Sequence, residues 1–560
     1  MHSRIVRKRS TMRDGYQNIS IFFFASTLPS LASSLLMSKP SFIFKSDCHH
    51  NANAFKSFSS YNENLIDHAH RHKCVARAHD DRYVLEWKED MIDDIIAANT
   101  DDDDGHLFNA AIFSASKAWG RRPFLLRNAF DPNKLMVLDD DTNMQEADDD
   151  NEFGPWPSWQ DVVDIASDDD AESRVISHIP GDYSTFDIQW GSLSDAEIEE
   201  WLSKESAEDV ASNQKADDAV RKETLVVNDI DRFHPPLADW IYDTFDFIPN
   251  WRMDDGQISL AEVNGGIGPH VDNYDVFLIQ MNGSRTWQVG KRKIDAIEER
   301  DRLIDGIDVR VLSDWNDDQE VEDWILNPGD MLYLPPRVPH CGIALSSGCM
   351  TLSVGCRAPS VSDLVSKLAE RFSNSVEDVA VRRYTDDELL NDGYSNANFS
   401  PGLITAKAKE DAKHLVLNAL TNMMDDDSVW DEFFGRCVTE PKRLRSNYPI
   451  PMEDDDEFDG PTVQDVLDGC GMLYHAEGIC FSYSEVKSVS GHSIYRLYVN
   501  GDMWQSVFAD DGILYQTIAN NRVLGRTMLL TSIGGDERSE EKLELLENLV
   551  SDGLLYSSEE

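Results

Sequence analysis

The chain has 560 residues, which is too long for one ordinary domain, and 41% of them are hydrophobic, enough for a sizeable core. It contains 103 acidic and 51 basic residues, which gives a formal net charge of −52. This charge argues against direct binding of nucleic acid, because phosphate neutralisation needs clustered lysine and arginine. It suits a protein that meets a basic partner.

The first 46 residues differ in composition from the rest of the chain. They hold seven basic residues and one acidic residue and are rich in serine, so the remainder carries −58. This composition is typical of a targeting presequence and predicts import into a mitochondrion or plastid. A secretory signal is one alternative. A disordered tail is another, and it would leave the protein in the cytoplasm or nucleus. We expect no membrane span, because Pro29 and several serines interrupt the apolar patch.

The central part of the chain has the pattern of a small β-structure. Residues 47–109 are expected to be disordered, and ordered sequence is predicted to begin near Ala110. A helix end and then a strand are predicted within 117–127. Between 258 and 358, apolar runs such as Tyr274–Met281 alternate with turn signals. This pattern predicts about six short strands in a barrel or sandwich.

The pattern changes to a helical period after residue 359. Helical spacing is present at 361–372 and at 404–423. An acidic stretch at 452–460 indicates a linker, and residues 461–560 mix helical and strand patterns as a small α+β domain would. The last predicted helix carries an apolar face made of Leu543, Leu546, Leu549 and Val550.

The strongest chemical signal is a His-X-Asp motif at His270 and Asp272, followed 70 residues later by His340. Residues i and i+2 of a strand face the same side, so His270 and Asp272 can both point into a barrel. Two imidazoles and one carboxylate form the facial triad of non-haem Fe(II) oxygenases. In the alternative reading, His270 caps a turn and His340 is an ordinary loop residue.

Oxygenases of this kind use 2-oxoglutarate, whose far carboxylate needs a buried cation. Arg285 follows the Asn282-Gly283 turn, so a hairpin would return it beside the metal strand. Ser259 and Ser353 could each donate a hydroxyl to the co-substrate. The alternatives are a surface arginine and two ordinary barrel serines.

These residues stand within longer strings that resemble the ribosomal oxygenases, the JmjC-type protein hydroxylases built on a cupin barrel. The strings are WGRRPFLLR from Trp119, SRVISH from Ser173, IPNWRMDD from Ile248, GIGPHVDNYDVFLIQ from Gly266 and PGDMLYLPP from Pro328. The similarity is to the bacterial-type arginyl hydroxylases of ribosomal protein uL16. It extends from about residue 110 to the C-terminus and is thin beyond residue 440.

The resemblance implies a mainly β catalytic core, namely a double-stranded β-helix of the cupin or JmjC type, at 110–358. It also implies a helical dimerisation segment at 359–450, hence a homodimer, and a small α+β, winged-helix-like domain at 461–560. Residues 451–560 contain 22 acidic and 6 basic residues, which favours protein contact over nucleic-acid binding in that last domain.

The resemblance also implies roles for individual residues. His270, Asp272 and His340 match the iron ligands, and Arg285 matches the position that binds 2-oxoglutarate. The histidyl-hydroxylase branch has lysine there, so Arg285 favours the arginyl branch. Thr351 stands where asparagine is usual. Tyr274 and Asp275 are candidates for the substrate pocket, although Tyr274 could instead belong to the core.

The sequence therefore predicts a protein hydroxylase that uses Fe(II), 2-oxoglutarate and O2. Its expected substrate is an arginine of a uL16-like ribosomal protein, whose basic character suits the acidic body of this chain. One alternative is another enzyme of the superfamily, a histidyl hydroxylase or a demethylase. The other is a ribosome-assembly module without catalytic activity.

Overall fold

The structure is a computed structural model. It describes residues 107–136, 154–205, 220–304, 310–313, 321–374, 383–384, 402–441, 460–488, 491–535 and 538–558. The predicted targeting segment at 1–46 lies outside the described residues, as do nearly all of 47–109 and the acidic linker. Phe108 is buried in the core, so the folded region includes residues just before the predicted start at Ala110.

The described residues form the following strands and helices. The strands are β1 Phe124–Leu126, β2 Ser173–Ile179, β3 Asp182–Trp190, β4 Lys222–Val227, β5 Met253–Ala261, β6 Asp275–Asn282, β7 Arg285–Gly290, β8 Val321–Leu326, β9 Met331–Leu334, β10 His340–Ala344, β11 Cys349–Cys356, β12 Met472–His475, β13 Phe481–Lys487, β14 Ser493–Val499, β15 Asp502–Ser506, β16 Val523–Leu524 and β17 Leu555–Ser558. The helices are α1 Ala110–Ser116, α2 Pro132–Leu135, α3 Trp159–Ala166, α4 Asp195–Lys204, α5 Pro235–Thr244, α6 Ala296–Arg302, α7 Val361–Asn374, α8 Ala406–Met424, α9 Asp427–Thr439, α10 Val463–Asp468, α11 Ala509–Asn520, α12 Arg526–Ile533 and α13 Ser539–Ser551.

The β-rich core is made of two antiparallel sheets. The larger sheet has the strand order β1-β9-β6-β11-β5-β4-β2-β3, and the smaller one has the order β10-β7-β8. From β5 to β11 the chain passes repeatedly between the two sheets. This is the double-stranded β-helix of cupin and JmjC domains, and the prediction of a mainly β core is confirmed.

Strand β6 shows why the predicted apolar run around Tyr274–Met281 is nearly continuous. Val276 and Leu278 pack toward the smaller sheet, with Trp287. Phe277 and Ile279 point to the opposite face, into the core that the N-terminal helices cover. Because successive residues of a strand face opposite sides, a strand buried on both faces is apolar along its length.

Helices follow the barrel as predicted. Helix α7 contains the predicted stretch 361–372, and α8 matches the stretch 404–423 except that it begins at Ala406, after the N-cap Thr405, so both predicted helices are confirmed. The next helix, α9, has no counterpart among the predicted elements. Its N-cap is Asp426, whose carboxylate accepts hydrogen bonds from the first turn.

The last region is a mixed α/β structure with its own core. It contains the three-stranded sheets β16-β12-β17 and β13-β14-β15, with helices α10 to α13 packed on them. The predicted apolar face of the final helix is confirmed, since Leu546 and Leu549 are buried and Leu543 and Val550 pack beside them. The likeness to a winged helix stays a prediction.

Contacts in the described chain join this region to the β-rich core. Arg522 pairs with Asp239 of α5 at 2.8 Å, and the Asn250 side chain donates to the carbonyl of Ala519 at 2.9 Å. Among the helices that are described, none has both the length and the apolar character needed to cross a bilayer.

Candidate metal centre

The three predicted metal ligands meet in space. One ligand atom from each of His270, Asp272 and His340 lies within 4.8 Å of those of the other two. His340 Nε2 lies 3.5 Å from Asp272 Oδ2, and the two imidazole centroids are 4.3 Å apart. Carboxylate and imidazole atoms at this spacing can ligate one ion.

Backbone pairing holds the two histidines together. His270 and His340 exchange both backbone hydrogen bonds, with N···O distances of 3.0 and 2.9 Å. His340 begins β10, whereas His270 forms only an isolated bridge, so the motif lies in a loop before β6 rather than in a strand. The bridge brings His270 and His340 together as predicted, although His270 and Asp272 lie in a loop and not in the expected strand.

Each imidazole is oriented by a carbonyl from its own loop. His270 Nδ1 lies 2.8 Å from the Gly268 carbonyl oxygen, and His340 Nδ1 lies 3.0 Å from that of Val338. A carbonyl can only accept, so Nδ1 carries the proton in both rings. The Nε2 lone pairs are then available to a metal, as in most histidine metal sites.

The electrostatics keep His340 neutral. The ring is 2% exposed, and burial lowers its pKa to about 4, with His270 adding to the shift and Asp272 opposing it. A neutral imidazole is the form that binds metals. Two imidazoles and one carboxylate are the donor set of non-haem Fe(II) sites, so these residues fit such an ion.

The second predicted feature, Arg285, is buried inside the barrel. It begins β7 and is 1% exposed, and its Nη1 donates to Ser259 Oγ on β5 at 3.1 Å. Its Nε and Nη2 atoms are buried without a hydrogen-bond partner among the described residues. A buried cation of this kind is costly unless an anion pairs with it, so its surroundings suit a carboxylate.

Trp287 connects the arginine to the metal ligands. The Arg285 guanidinium carbon lies 5.8 Å from the Trp287 ring centroid, and that ring is 5.8 Å from the His340 ring. Both groups therefore belong to one barrel interior.

The two predicted serines have different settings. Ser259 Oγ accepts a hydrogen bond from Arg285, a contact that the sequence did not predict, and its role toward the co-substrate stays a prediction. Ser353 is half-buried on β11 and lies opposite Leu278, so it shares the face that points toward the smaller sheet.

Sequence reasoning missed Gln280, whose side-chain oxygen accepts a hydrogen bond from Thr351 at 2.9 Å. An apolar run with one buried glutamine is the signal that could have found it.

The two pocket candidates, Tyr274 and Asp275, are not brought together. The charge of Asp272 is the main cause that raises the pKa of Tyr274, and burial and the charges of Asp255 and Asp254 raise it further. Tyr274 therefore lies near the metal ligands. Asp275 points to the opposite face of the sheet, because it is the next residue along the strand.

The Asp275 side chain is engaged within the core. Its carboxylate accepts from the Tyr333 hydroxyl at 2.5 Å and from Arg252 at 3.0 Å. The structure therefore does not place Asp275 in the substrate pocket predicted from the sequence.

The fold and the triad together define a JmjC-type domain, and comparisons with known proteins agree. Residues 240–364 match the JmjC domain family. A "Probable ribosomal oxygenase" of Haemophilus influenzae is 25% identical over 398 residues, 70% of this chain and 88% of the relative. The "Ribosomal protein uL16 3-hydroxylase" of Escherichia coli is 25% identical over 357 residues, 63% of this chain and 79% of the relative. Residues 240–364 are thus a JmjC domain, and the chain is similar in sequence to these two ribosomal oxygenases over most of its length.

Solved structures share the fold. An X-ray structure of Escherichia coli ycfD aligns with a TM-score of 0.55 at 22% identity, over 80% of this chain and 98% of that one. A second structure, described as YcfD, a ribosomal oxygenase, in complex with cobalt and 2-oxoglutarate, aligns with a TM-score of 0.51, also at 22% identity, over 79% and 96%. At this identity the likeness establishes the fold alone.

Proposed function

We propose that this chain is an Fe(II)- and 2-oxoglutarate-dependent oxygenase that hydroxylates a ribosomal protein. The observation that carries the proposal is the buried guanidinium of Arg285, whose Nε and Nη2 lack a partner among the described residues, in the same barrel interior as the metal triad. A dicarboxylate that ligates the metal at one end and pairs with Arg285 at the other would satisfy both features. The names of the relatives support the ribosomal substrate.

The residues have distinct tasks in this proposal. The Nε2 atoms of His270 and His340 and the Asp272 carboxylate hold Fe(II). Arg285 pairs with the distal carboxylate of 2-oxoglutarate, while Ser259 orients the guanidinium through the Nη1 bond. Trp287 lies 5.8 Å from both the Arg285 guanidinium carbon and the His340 ring, and its apolar surface would keep water from the space beside them.

The reaction class follows from this set of groups. When bound, Fe(II) supplies the activation of O2 that couples oxidative decarboxylation of 2-oxoglutarate to succinate with hydroxylation of a carbon–hydrogen bond. The chain itself supplies the ligands, the orientation of both substrates and the closed environment.

An arginine of a uL16-like protein is the finer part of the proposal. Tyr274 lies near the carboxylates of Asp272, Asp254 and Asp255, which together raise its pKa. An acidic environment around an aromatic ring suits a guanidinium, which binds both carboxylates and aromatic faces. These groups would position the cationic end of the substrate side chain while a carbon nearer the backbone meets the metal.

The test is turnover with a peptide that contains the corresponding arginine of uL16. The full-length chain with Fe(II) and 2-oxoglutarate should add 16 Da to the peptide and form succinate in equal amount. Fragmentation should place the added oxygen on arginine. Oxygen on histidine would favour the histidyl hydroxylase, and loss of methyl groups would favour a demethylase. Bound metal without succinate formation would favour the module that lacks catalytic activity.

A homodimer through 359–450 is also proposed. Val361 and Val365 of α7 are 80% and 59% exposed, and Val416 and Leu417 of α8 are exposed as well. Apolar side chains exposed on two helices that both contact α9 support burial against a second copy. Light scattering after size exclusion should give twice the mass of the chain. Changing Val361 and Val365 to serine should reduce the measured mass to that of a single chain.

Import into a mitochondrion or plastid remains a proposal that rests on the composition of residues 1–46. A fluorescent fusion of the full chain should localise to one of these organelles, and deletion of residues 1–46 should leave it in the cytoplasm. A fusion that stays cytoplasmic or nuclear with the segment intact would support the alternative.

A further inference from the structure

Arg337 lies in the turn that leads into β10, and its backbone has φ of +73°. Few residues other than glycine adopt this left-handed conformation, and it is retained when the surroundings hold it in place. Here the Arg337 N–H donates to the carbonyl of Asp272 at 2.8 Å, and the Arg337 carbonyl accepts from the Ile294 N–H at 2.9 Å. The turn is thereby bound to the segment that carries a metal ligand.

The Arg337 side chain makes three further connections. Nε donates to the carbonyl of Ile294 at 2.9 Å, and Nη1 donates to Asn273 Oδ1 at 3.0 Å. Nη1 also pairs with Glu299 of α6. The guanidinium therefore joins the metal loop, the segment before α6 and α6 itself.

Glu299 is an unusual residue in this acidic protein because its side chain is only 1% exposed. It also accepts from Arg310, through Nε at 2.8 Å, so two arginines share the one carboxylate. Buried charges of this kind are kept only when they are well paired. Glu299 thus anchors Arg337 rather than serving as a surface charge.

The same turn orients a second ligand. The residue after Arg337, Val338, provides the carbonyl that accepts from His340 Nδ1. A shift of Arg337 would therefore displace the Asp272 backbone and the His340 ring together. We propose that Arg337, anchored by Glu299, is a positioning residue that fixes the separation of Asp272 and His340 in the metal site. This inference rests on the proposed metal-binding function of the triad.

The experiment is a calorimetric titration of Mn(II) into the metal-free, full-length chain. Glu299→Gln removes the anchoring charge. Arg337→Lys keeps the charge but loses the planar set of donors that reaches Ile294, Asn273 and Glu299 at once. Both variants should bind Mn(II) about tenfold or more weakly, the size expected for groups that orient metal ligands.

Glu298→Gln is the matched control. Glu298 precedes Glu299 on α6 and pairs with Arg292 and Arg302. The control should bind Mn(II) within about twofold of the unchanged chain, because it removes the same charge from a group that does not contact Arg337. Thermal unfolding of each variant shows which are folded. If Glu299→Gln does not fold, Arg337→Lys carries the test.

The visible absorption of bound Co(II) is a second measurement, since it reports the arrangement of ligands and not overall stability. A changed spectrum in the Glu299 and Arg337 variants, with the control spectrum unchanged, supports the positioning role. Unchanged spectra and Mn(II) affinities within twofold in both variants would overturn it. Failure of the unchanged chain to bind either metal would instead contradict the proposed function, so the two failures are distinguishable.

Discussion

The Nη1 atom of Arg285 donates to the Oγ atom of Ser259 at 3.1 Å, and this bond joins the two sheets of the barrel. Arg285 begins β7 of the smaller sheet, and Ser259 lies near the end of β5 of the larger sheet. One nitrogen is thus occupied by the protein. The remaining buried nitrogens point to an anion as the missing partner of this guanidinium.

Replacing Arg285 with glutamine should raise the KM for 2-oxoglutarate by about 10- to 100-fold. A hydrogen-bonded pair with a charged group contributes about 1.5–3 kcal/mol, and 1.4 kcal/mol corresponds to a factor of ten. The measurement is succinate formation at a series of 2-oxoglutarate concentrations. The KM of Arg285→Lys should lie between those of the unchanged chain and Arg285→Gln, because lysine keeps the charge without the planar donors.

Arg300→Gln is the control for this experiment, since Arg300 is an exposed residue of α6 paired with Asp301. Its KM should stay that of the unchanged chain. An unchanged KM in Arg285→Gln would remove Arg285 from the co-substrate site and would leave the buried guanidinium without an explanation.

Removal of one metal ligand should abolish metal binding. In His270→Ala the site keeps only an imidazole and a carboxylate, so we expect Mn(II) affinity to fall at least 100-fold and turnover to disappear. Mn(II) affinity is measured by titrating Mn(II) into the protein, with electron paramagnetic resonance as the method of detection. His414→Ala removes an exposed histidine of α8 and should change neither quantity. Retained affinity in His270→Ala would mean that the metal binds elsewhere.

The metal site could be predicted from the sequence because its signals are local. The spacing of His270 and Asp272, and the turn that precedes Arg285, each fall within a few residues. The distant partner, His340, ends a proline-rich string that is itself distinctive. Short-range spacing and turn chemistry do not depend on the rest of the fold.

Features that depend on register could not be predicted in this way. The face on which Asp275 lies is set by where β6 begins, and a shift of one residue reverses it. The pairing of Gln280 with Thr351 depends on an irregularity of register between Met350 and Thr351. The contact of Arg337 with Glu299 joins residues 38 apart in sequence. None of these has a local signal.

The C-terminal region should lose stability as the pH falls below about 6.5. His475 is buried and stacked on Phe481, and burial, with help from Arg522, lowers its pKa to about 3. Between pH 3 and 6.5 the unfolded chain therefore binds a proton that the folded chain does not. The contribution of neutral His475 to the free energy of unfolding is fully present above pH 6.5, the pKa of the unfolded state. It is lost progressively as the pH falls toward 3.

Urea unfolding at pH 7 and pH 5 measures this effect. The free energy of unfolding should fall by about 2 kcal/mol more in the unchanged chain than in His475→Gln, from a shift of this size. Glutamine can still donate to the Ile518 carbonyl, which His475 Nε2 contacts at 2.8 Å. His492→Gln, an exposed change in the same region, should keep the full pH dependence. An equal fall in the free energy of unfolding between pH 7 and pH 5 in all three proteins would exclude His475 as the source of the pH dependence.

Gly435, in the middle of α9, should be intolerant of even a methyl group. A Cβ atom at this position would overlap the ring of Tyr498 on β14. That ring cannot move aside freely, because it is buried and its hydroxyl donates to the Asp431 carboxylate at 2.8 Å. The close approach seats α9 on the C-terminal region.

Gly435→Ala should therefore destabilise the protein by about 1–3 kcal/mol, the usual cost of overpacking. The sign is informative, because glycine to alanine inside a helix ordinarily stabilises by about 1 kcal/mol. In a Tyr498→Ala background the ring is gone, and the same change should become stabilising. Urea unfolding of the four proteins of this cycle measures both values. A stabilising Gly435→Ala with Tyr498 intact would show that α9 does not pack on β14 as described.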